Sequence, residues 1–281
     1  MSQSEPSPGR GGALPQFSLV IATLEDDGDL GLCLESLARL PALPSFEVIV
    51  IDQNGDDRLV PVVARFQDTL RLRHERVAFR NACRARNLGV GLARGRWVGF
   101  PDDDCQLLSD TLVNVGHLAS TPNVRVITGR TVDESGASNV LRWSGVARDF
   151  DRWNMFGCLT EATLFVERQL FLASGGFDER FGPGGYFPAA EGIDLMNRLF
   201  LHLQAGERAC YHPDVRMAHP SKIPPWNRWA VERFYSYAQG DGALIAKSPQ
   251  PHILLWGVRT VVSAALQTLV HAACLRGWQS M

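Results

Sequence analysis

This chain of 281 residues shows no charge excess, no paired-cysteine motif, no long apolar run and no glycine-rich nucleotide loop. Each absence removes a class of function. The formal net charge is −2, so the basic surplus of a nucleic-acid-binding protein is missing and no such partner is expected. The six cysteines (Cys33, Cys83, Cys105, Cys158, Cys210 and Cys274) are scattered with no C-x-x-C. Neither a zinc site nor a disulfide framework is indicated, and a reducing compartment fits. Each cysteine is expected to be a small buried apolar residue. No run of 18 residues is free of strongly polar groups, so no spanning helix is expected. Residues 1–16, MSQSEPSPGRGGALPQ, contain no apolar signal-peptide segment and are rich in Ser, Pro and Gly, which predicts a mobile tail. No G-x-G-x-x-G follows the first apolar run and no P-loop is present, which argues against a dinucleotide-binding Rossmann enzyme. No internal repeat is visible.

What is present is ordinary for a globular protein: 45% apolar and 21% charged residues, enough chain for one large domain or two small ones. Phe17 to Ala22 reads as a buried strand, Leu30 to Leu40 as a helix ended by Pro41 and Pro44, and Phe46 to Asp52 as a second strand. A helix over Asp57–Asp68, a strand over Leu70–His74, a helix over Asn81–Ala93 and a strand over Trp97–Phe100 follow. This alternation predicts parallel βαβ units and an α/β fold.

The fourth strand runs through Pro101 into three consecutive aspartates, Asp102, Asp103 and Asp104. Like charges this close raise one another's pKa unless a cation or donors neutralise them. A hard divalent cation such as Mg²⁺ or Mn²⁺ prefers oxygen ligands and is the natural partner. Alternation along an extended segment puts Asp102 and Asp104 on one side and Asp103 on the other. The alternative is a solvated acidic turn. Asp52 also ends a predicted strand, and in open α/β sheets ligands bind beyond those ends.

The second half is less regular. Val124–Gly129 and Leu159–Val166 (LTEATLFV) read as strands, and FGPGGY, Phe181 to Tyr186, as a flexible lid. Glu191-Gly192-Ile193-Asp194-Leu195 opens a helix running to about Ala205. From Pro224 the aromatic residues Trp226, Trp229, Phe234, Tyr235 and Tyr237 lie near Lys222, Arg228 and Arg233. Ile253–Leu275 is an apolar helix with one polar stripe, Arg259, Ser263, Gln267 and His271. It can pack on the domain, on a partner or at a bilayer interface, where Arg276 and Trp278 suit it.

Together these residues resemble the family 2 glycosyltransferases of GT-A fold. The resemblance is carried by VIVIDQNGDD, by Arg84-Ala85-Arg86-Asn87-Leu88-Gly89 with Ala93-Arg94-Gly95 and WVGFPDDDC, and by GGFDERF with EGIDL, and covers roughly Phe17 to His219. It implies a Rossmann-like nucleotide-sugar-binding domain with a mixed central sheet over residues 17–221. A nucleotide-binding half at 17–105 and an acceptor-side half at 106–221 are implied, with a helical extension at 222–281. It implies transfer of a sugar, with inversion, from a nucleotide-sugar donor. A UDP-sugar is expected, with dTDP and GDP donors open. The acceptor is a glycan or lipid-linked species, as in cell-surface polysaccharide or glycoconjugate synthesis.

Residue by residue, the resemblance places Asp52 on the nucleotide base, Thr23 on the nucleoside, and Arg86 on the phosphates or base. Asp102 binds the ribose side or the metal, Asp104 binds the metal, and Asp103 is structural or touches the sugar. His219 falls where some relatives place a histidine near the metal, with His212 nearby. The acceptor hydroxyl needs a base, and the position usually held by the base aspartate is Gly192. Glu191 is the expected base, with Asp194 second or serving as a helix anchor. Asn87 is a packing residue or donor contact, and Trp143 and Trp153 are core, surface or sugar-stacking residues. A cytoplasmic location with peripheral contact of 222–281 on the inner membrane face is expected. Two other readings stand beside this one. A nucleotidyltransferase would need a Gly- and Lys-rich loop where Leu24–Asp29 is acidic. A catalytically inactive nucleotide-sugar-binding scaffold would draw its support from Gly192.

Overall fold

A computed structural model describes residues 14–25, 28–220 and 228–279, with the side chains of the last stretch described over 231–266. In chain order the first half comprises β1 (Phe17–Thr23), α1 (Asp29–Ala38), β2 (Phe46–Asp52), α2 (Val60–Ala64), β3 (Leu72–Arg76), α3 (Ala82–Leu92) and β4 (Trp97–Gly99). Then come β5 (Gln106–Leu107), α4 (Thr111–Ala119), β6 (Val124–Val132), β7 (Arg148–Phe150), β8 (Phe165–Glu167) and α5 (Arg168–Ala173). The chain closes with α6 (Glu191–His202), β9 (Arg208–Ala218), α7 (Arg228–Lys247) and α8 (Pro251–Gln279).

All nine strands form one mixed sheet in the order β3-β2-β1-β4-β8-β6-β9-β5, with β7 also paired to β9. The first four pair in parallel, and β8 is antiparallel to both β4 and β6. The expected α/β fold with a mixed sheet is thus the observed one. β1 is central, which is why FSLVIAT is a nearly continuous apolar run rather than an alternating one. Helices cover both faces. α1 buries Leu30, Cys33, Leu34 and Leu37 at helical spacing. α3 lies so close to β1 that a Cβ on Gly89 would stand 2.2 Å from Val20 Cγ1. Its N-terminus is capped by the Asn81 side chain, which accepts from the Arg84 amide at 2.8 Å. Phe100, Phe171 and Phe177 pack at centroid distances of 5.1–5.6 Å and fix the floor behind the acidic turn.

Four expectations are corrected. The helix over Asp57–Asp68 shrinks to the single turn of α2, because Pro61 suits only a first turn. Leu159–Val166 is not one strand: Glu161–Thr163 is a 3₁₀ turn and only β8 is extended. The FGPGGY segment is held down rather than free. Phe181 is buried, the Ala82 amide donates to the Pro183 carbonyl at 2.9 Å, and Asn81 Nδ2 donates to the Gly184 carbonyl. Its glycines allow close approach, since a Cβ on Gly184 would meet the Arg80 carbonyl at 2.3 Å. Finally, Asp102–Cys105 is a turn, not an extension of β4, with the Cys105 amide donating to the Asp102 carbonyl at 3.1 Å.

The helical extension is observed over the described residues. α7 and the start of α8 dock on the domain: Lys247 pairs with Asp178 and Asp194, and His252 Nε2 lies 2.9 Å from Asn197 Oδ1. From Val258 to Leu266 every side chain is exposed, including Arg259 and Ser263 of the polar stripe. No helix among the described residues is long and apolar enough to cross a membrane. The expected tail falls mainly on residues 1–13, and Lys222 and Trp226 on 221–227, all outside the described residues. The side chains of Arg228, Trp229, Gln267, His271, Cys274, Arg276 and Trp278 lie outside them as well.

Candidate active site

At the C-terminal edge of β4 the acidic turn meets the end of β9. Asp102, Asp104, Cys105 and His219 each present one ligand atom, all within 4.8 Å of one another. The turn keeps Asp102 and Asp104 together although the backbone there is not extended. Asp103 faces the other way, towards the Thr23 hydroxyl at the end of β1. That hydroxyl is buried and makes no hydrogen bond of normal geometry among the described residues. Burial pushes Asp103 up to about 6; the Asp102 and Asp104 charges add to this and Thr23 opposes it.

The donor set fits a divalent cation on its own chemistry. His219 Nδ1 lies 2.8 Å from the Pro220 carbonyl, an acceptor only, so Nδ1 carries the proton. In the neutral ring Nε2 is then the nitrogen that carries the lone pair, and it lies 3.8 Å from Asp104 Oδ1. Two carboxylates and an imidazole nitrogen converging within 4.8 Å suit Mn²⁺ or Mg²⁺. Cys105 is a poor fourth ligand. Burial holds its thiol protonated and the aspartates reinforce that, and hard cations disfavour sulfur.

Behind the acidic turn lies a buried charge cluster. Arg86 projects from α3, its Nη2 2.7 Å from Asp102 Oδ1 and its Nη1 3.8 Å from Glu191 Oε1. Nη1 is buried and makes no hydrogen bond among the described residues. Burial works against the guanidinium charge, but Asp102, Glu191 and Glu161 outweigh it and raise the pKa further. Glu191 begins α6. Burial and then the Glu161 carboxylate push it up to about 8, against the pull of Arg86. Glu161, from the 3₁₀ turn before β8, is raised by burial as well, while Arg86 and the Gly192 amide favour its charged form.

On the nucleotide side Asp52 and Thr23 end adjacent strands in register. Asp52 is wholly buried. Its Oδ1 accepts from the Asn54 amide and side chain at 2.8 and 2.9 Å, and its Oδ2 lies 3.0 Å from His74 Nε2. Gln53 Oε1 accepts from the Asn81 amide at 2.6 Å, tying this edge to the start of α3. Asn87 is a packing residue: its amide bonds both backbone groups of Phe177 at 2.8 and 2.9 Å.

Asp194 does not join the cluster. It is 1% exposed, one oxygen is held by Arg198 at 2.8–3.0 Å, and the other accepts from Lys247. These bonds tie α6 to α7 through Asp194. Trp143 stacks on Tyr211 at 6.2 Å, half-buried against the core. Trp153 is exposed beside His252, in a cavity shared with Phe156, Trp256 and Arg259. His212 lies further along β9, its Nδ1 accepting from the Asp214 amide.

Residues 18–177, over half of the chain, match the family described as Glycosyl transferase family 2. The chain belongs to that family. Among curated relatives, the PGL/p-HBAD biosynthesis glycosyltransferase of Mycobacterium tuberculosis is 30% identical over 173 residues, 60% of this chain. The match spans 66% of that relative's own length. The validoxylamine A glucosyltransferase of Streptomyces hygroscopicus subsp. limoneus is 37% identical over 101 residues, 34% of this chain and 22% of its own. Among solved structures, S. aureus TarS 1-349 in complex with UDP-GlcNAc has a TM-score of 0.62 at 19% identity, covering 75% of this chain and 60% of that one. The mannosyltransferase PcManGT from Pyrobaculum calidifontis, in complex with GDP-Man and Mn²⁺, has a TM-score of 0.62 at 18% identity, covering 96% and 84%. Both structural likenesses concern the fold.

Against this family 2 frame, sequence reasoning did not single out Glu161 or His74. Glu161 stands in LTEATLFV, where the apolar pattern reads as a strand and hides a turn. The available signal was an acid in the middle of an apolar run, which is costly to bury without a function or a partner.

Proposed function

We propose that this protein is an inverting, divalent-metal-dependent glycosyltransferase that moves a hexosyl group from a nucleotide-sugar to a glycan or glycoconjugate acceptor. The observation that carries this reading is the convergence of Asp102, Asp104 and the His219 Nε2 lone pair beside the buried Arg86 and the paired glutamates. Asp104, Asp102 and His219 would hold the cation. Mn²⁺ or Mg²⁺ bound there supplies Lewis-acid stabilisation of the departing diphosphate. Thr23 and Asp103 line the nucleoside and sugar side, and Arg86, held between Asp102 and Glu191, stands behind the donor's phosphates. Asp52 ends β2 on the side of the base, its two oxygens braced by Asn54 and His74. Glu191 and Glu161 form the buried carboxylate pair from which the acceptor's base is drawn, and a raised pKa suits that role near neutrality. Family membership and the transfers named for the relatives support a hexosyl donor, UDP-linked first and GDP-linked next. The test is a panel of UDP-, GDP- and dTDP-sugars with Mn²⁺, read as release of nucleoside diphosphate and as product anomer by NMR. Inverted product from one donor supports the reading, and retained configuration excludes it.

The same reading places the helical extension on a membrane surface near the acceptor. Leu254, Leu255, Val258, Val261, Val262 and Leu266 of α8 are exposed, as are Phe234 and Tyr235 of α7. Exposed apolar residues at helical spacing along α8 suit an interaction surface. Flotation with anionic liposomes tests it: the full chain should float, and a chain lacking residues 253–281 should not. A full chain that stays in the soluble fraction excludes membrane contact.

A further inference from the structure

Gly192 is followed in space by a carboxylate that is not its own. A Cβ on Gly192 would stand 1.9 Å from Glu161 Oε1 and 2.7 Å from its Cδ. The Glu161 carboxylate therefore occupies the volume into which a side chain at position 192 would grow. It enters from the 3₁₀ turn before β8, 31 residues earlier in the chain, and lies beside the Gly192 amide at the first turn of α6. The absence of a side chain at 192 is what gives it room. The neighbouring Glu191 is walled in: a Cβ on Gly182 would meet its carboxyl carbon at 2.9 Å and Cys83 Sγ at 3.0 Å, and Arg86 closes the remaining side. Glu191 is buried and Glu161 is half-buried as a residue.

We infer that Glu161 is the group that takes the proton from the acceptor, a base carried by a different element and admitted by Gly192, with Glu191 as its positioning residue. The inference rests on the glycosyltransferase reading above and names the base within it. In the step, the acceptor oxygen bonds to the anomeric carbon as its proton passes to a Glu161 carboxylate oxygen. The bond from the anomeric carbon to the diphosphate oxygen breaks, and the nucleoside diphosphate leaves with the electron pair. Glu161 then returns the proton to solvent. Burial raises both glutamates, and the Glu161 charge adds to the rise at Glu191.

The test moves the carboxylate. Full-length wild type, Glu161→Gln, Glu161→Ala, Gly192→Asp and the double variant Glu161→Ala/Gly192→Asp are compared with Mn²⁺ and UDP-glucose, UDP-GlcNAc or GDP-mannose. Nucleoside diphosphate release, donor affinity by calorimetry and melting temperature are measured. Loss of a general base costs about 10²–10⁴-fold in rate. Glu161→Gln should fall at least about 100-fold in turnover with donor affinity kept within about threefold. Gly192→Asp should melt lower than wild type through its clash with Glu161. The double variant should regain both the melting temperature and most of the turnover. A Glu161→Gln enzyme turning over within about threefold of wild type overturns the inference. So does a folded, donor-binding double variant as slow as Glu161→Ala. A wild type that binds no nucleotide-sugar overturns the glycosyltransferase reading itself, which separates the two failures.

Discussion

The Arg86 guanidinium lies 2.7 Å from Asp102 and so fastens α3 to the acidic turn after β4. It also faces Glu191 at 3.8 Å, making one buried cation the counter-charge for three carboxylates. Removing one partner of a buried pair leaves uncompensated charge, which costs about 3–5 kcal/mol. Arg86→Ala is expected at the lower end, about 3 kcal/mol, because the Asp102 side chain is 34% exposed and partly screened. Chemical denaturation with and without Mn²⁺ checks this. The cation should recover part of the loss by taking over Asp102.

Stability should depend on pH through the glutamate pair. Glu191 stands at about 8 in the folded chain against an ordinary value of 4.5. Between these values the folded protein holds a proton that the unfolded chain has released, so stability falls as pH rises through this window. The slope is at most about 1.4 kcal/mol per pH unit for one proton. The groups facing Glu191 are Glu161, Arg86, Cys83 and Asp102. Glu191→Gln should flatten the decline, as read from melting temperatures between pH 5 and 8. Equal slopes in the two proteins would refute the assignment.

Metal affinity should separate His219 from Cys105. Even outer partners of a metal site cost about 10–100-fold in affinity when removed, so His219→Ala should raise the Mn²⁺ requirement by at least about tenfold. Cys105→Ala should leave it within about threefold, because that thiol is held protonated. Titration of Mn²⁺ by electron paramagnetic resonance checks both.

The sheet contains a comparable constraint at Gly129, where the β6–β9 register shifts between Thr128 and Arg130. A Cβ there would stand 1.9 Å from the Val215 carbonyl oxygen. Overpacking costs about 1–3 kcal/mol where side chains can yield, and backbone cannot. Gly129→Ala should therefore lose at least about 3 kcal/mol by urea denaturation. Since β9 carries His219 into the site, it should also weaken Mn²⁺ binding.

The parallel half of the fold was legible because buried central strands leave continuous apolar runs. FSLVIA and FEVIVID read directly as β1 and β2. The acidic turn was legible because three adjacent carboxylates have no inexpensive structural purpose. What stayed hidden depends on contacts distant in sequence. Nothing local shows that Asp194 meets Lys247, 53 residues away, and so serves as an anchor. Gly192 looked like a lost carboxylate, since only the fold brings Glu161 alongside it. FGPGGY looked like a lid because its glycines do not reveal that Arg80 and Glu191 press against them.

The most direct measurement is calorimetric titration of UDP, GDP and dTDP and their hexose conjugates into the full chain, with and without Mn²⁺, repeated on Asp104→Asn. The account predicts that one nucleotide class binds, that binding strengthens at least about tenfold with Mn²⁺, and that Asp104→Asn abolishes this gain while remaining folded. Binding indifferent to both Mn²⁺ and Asp104, or no binding to folded protein, would contradict it.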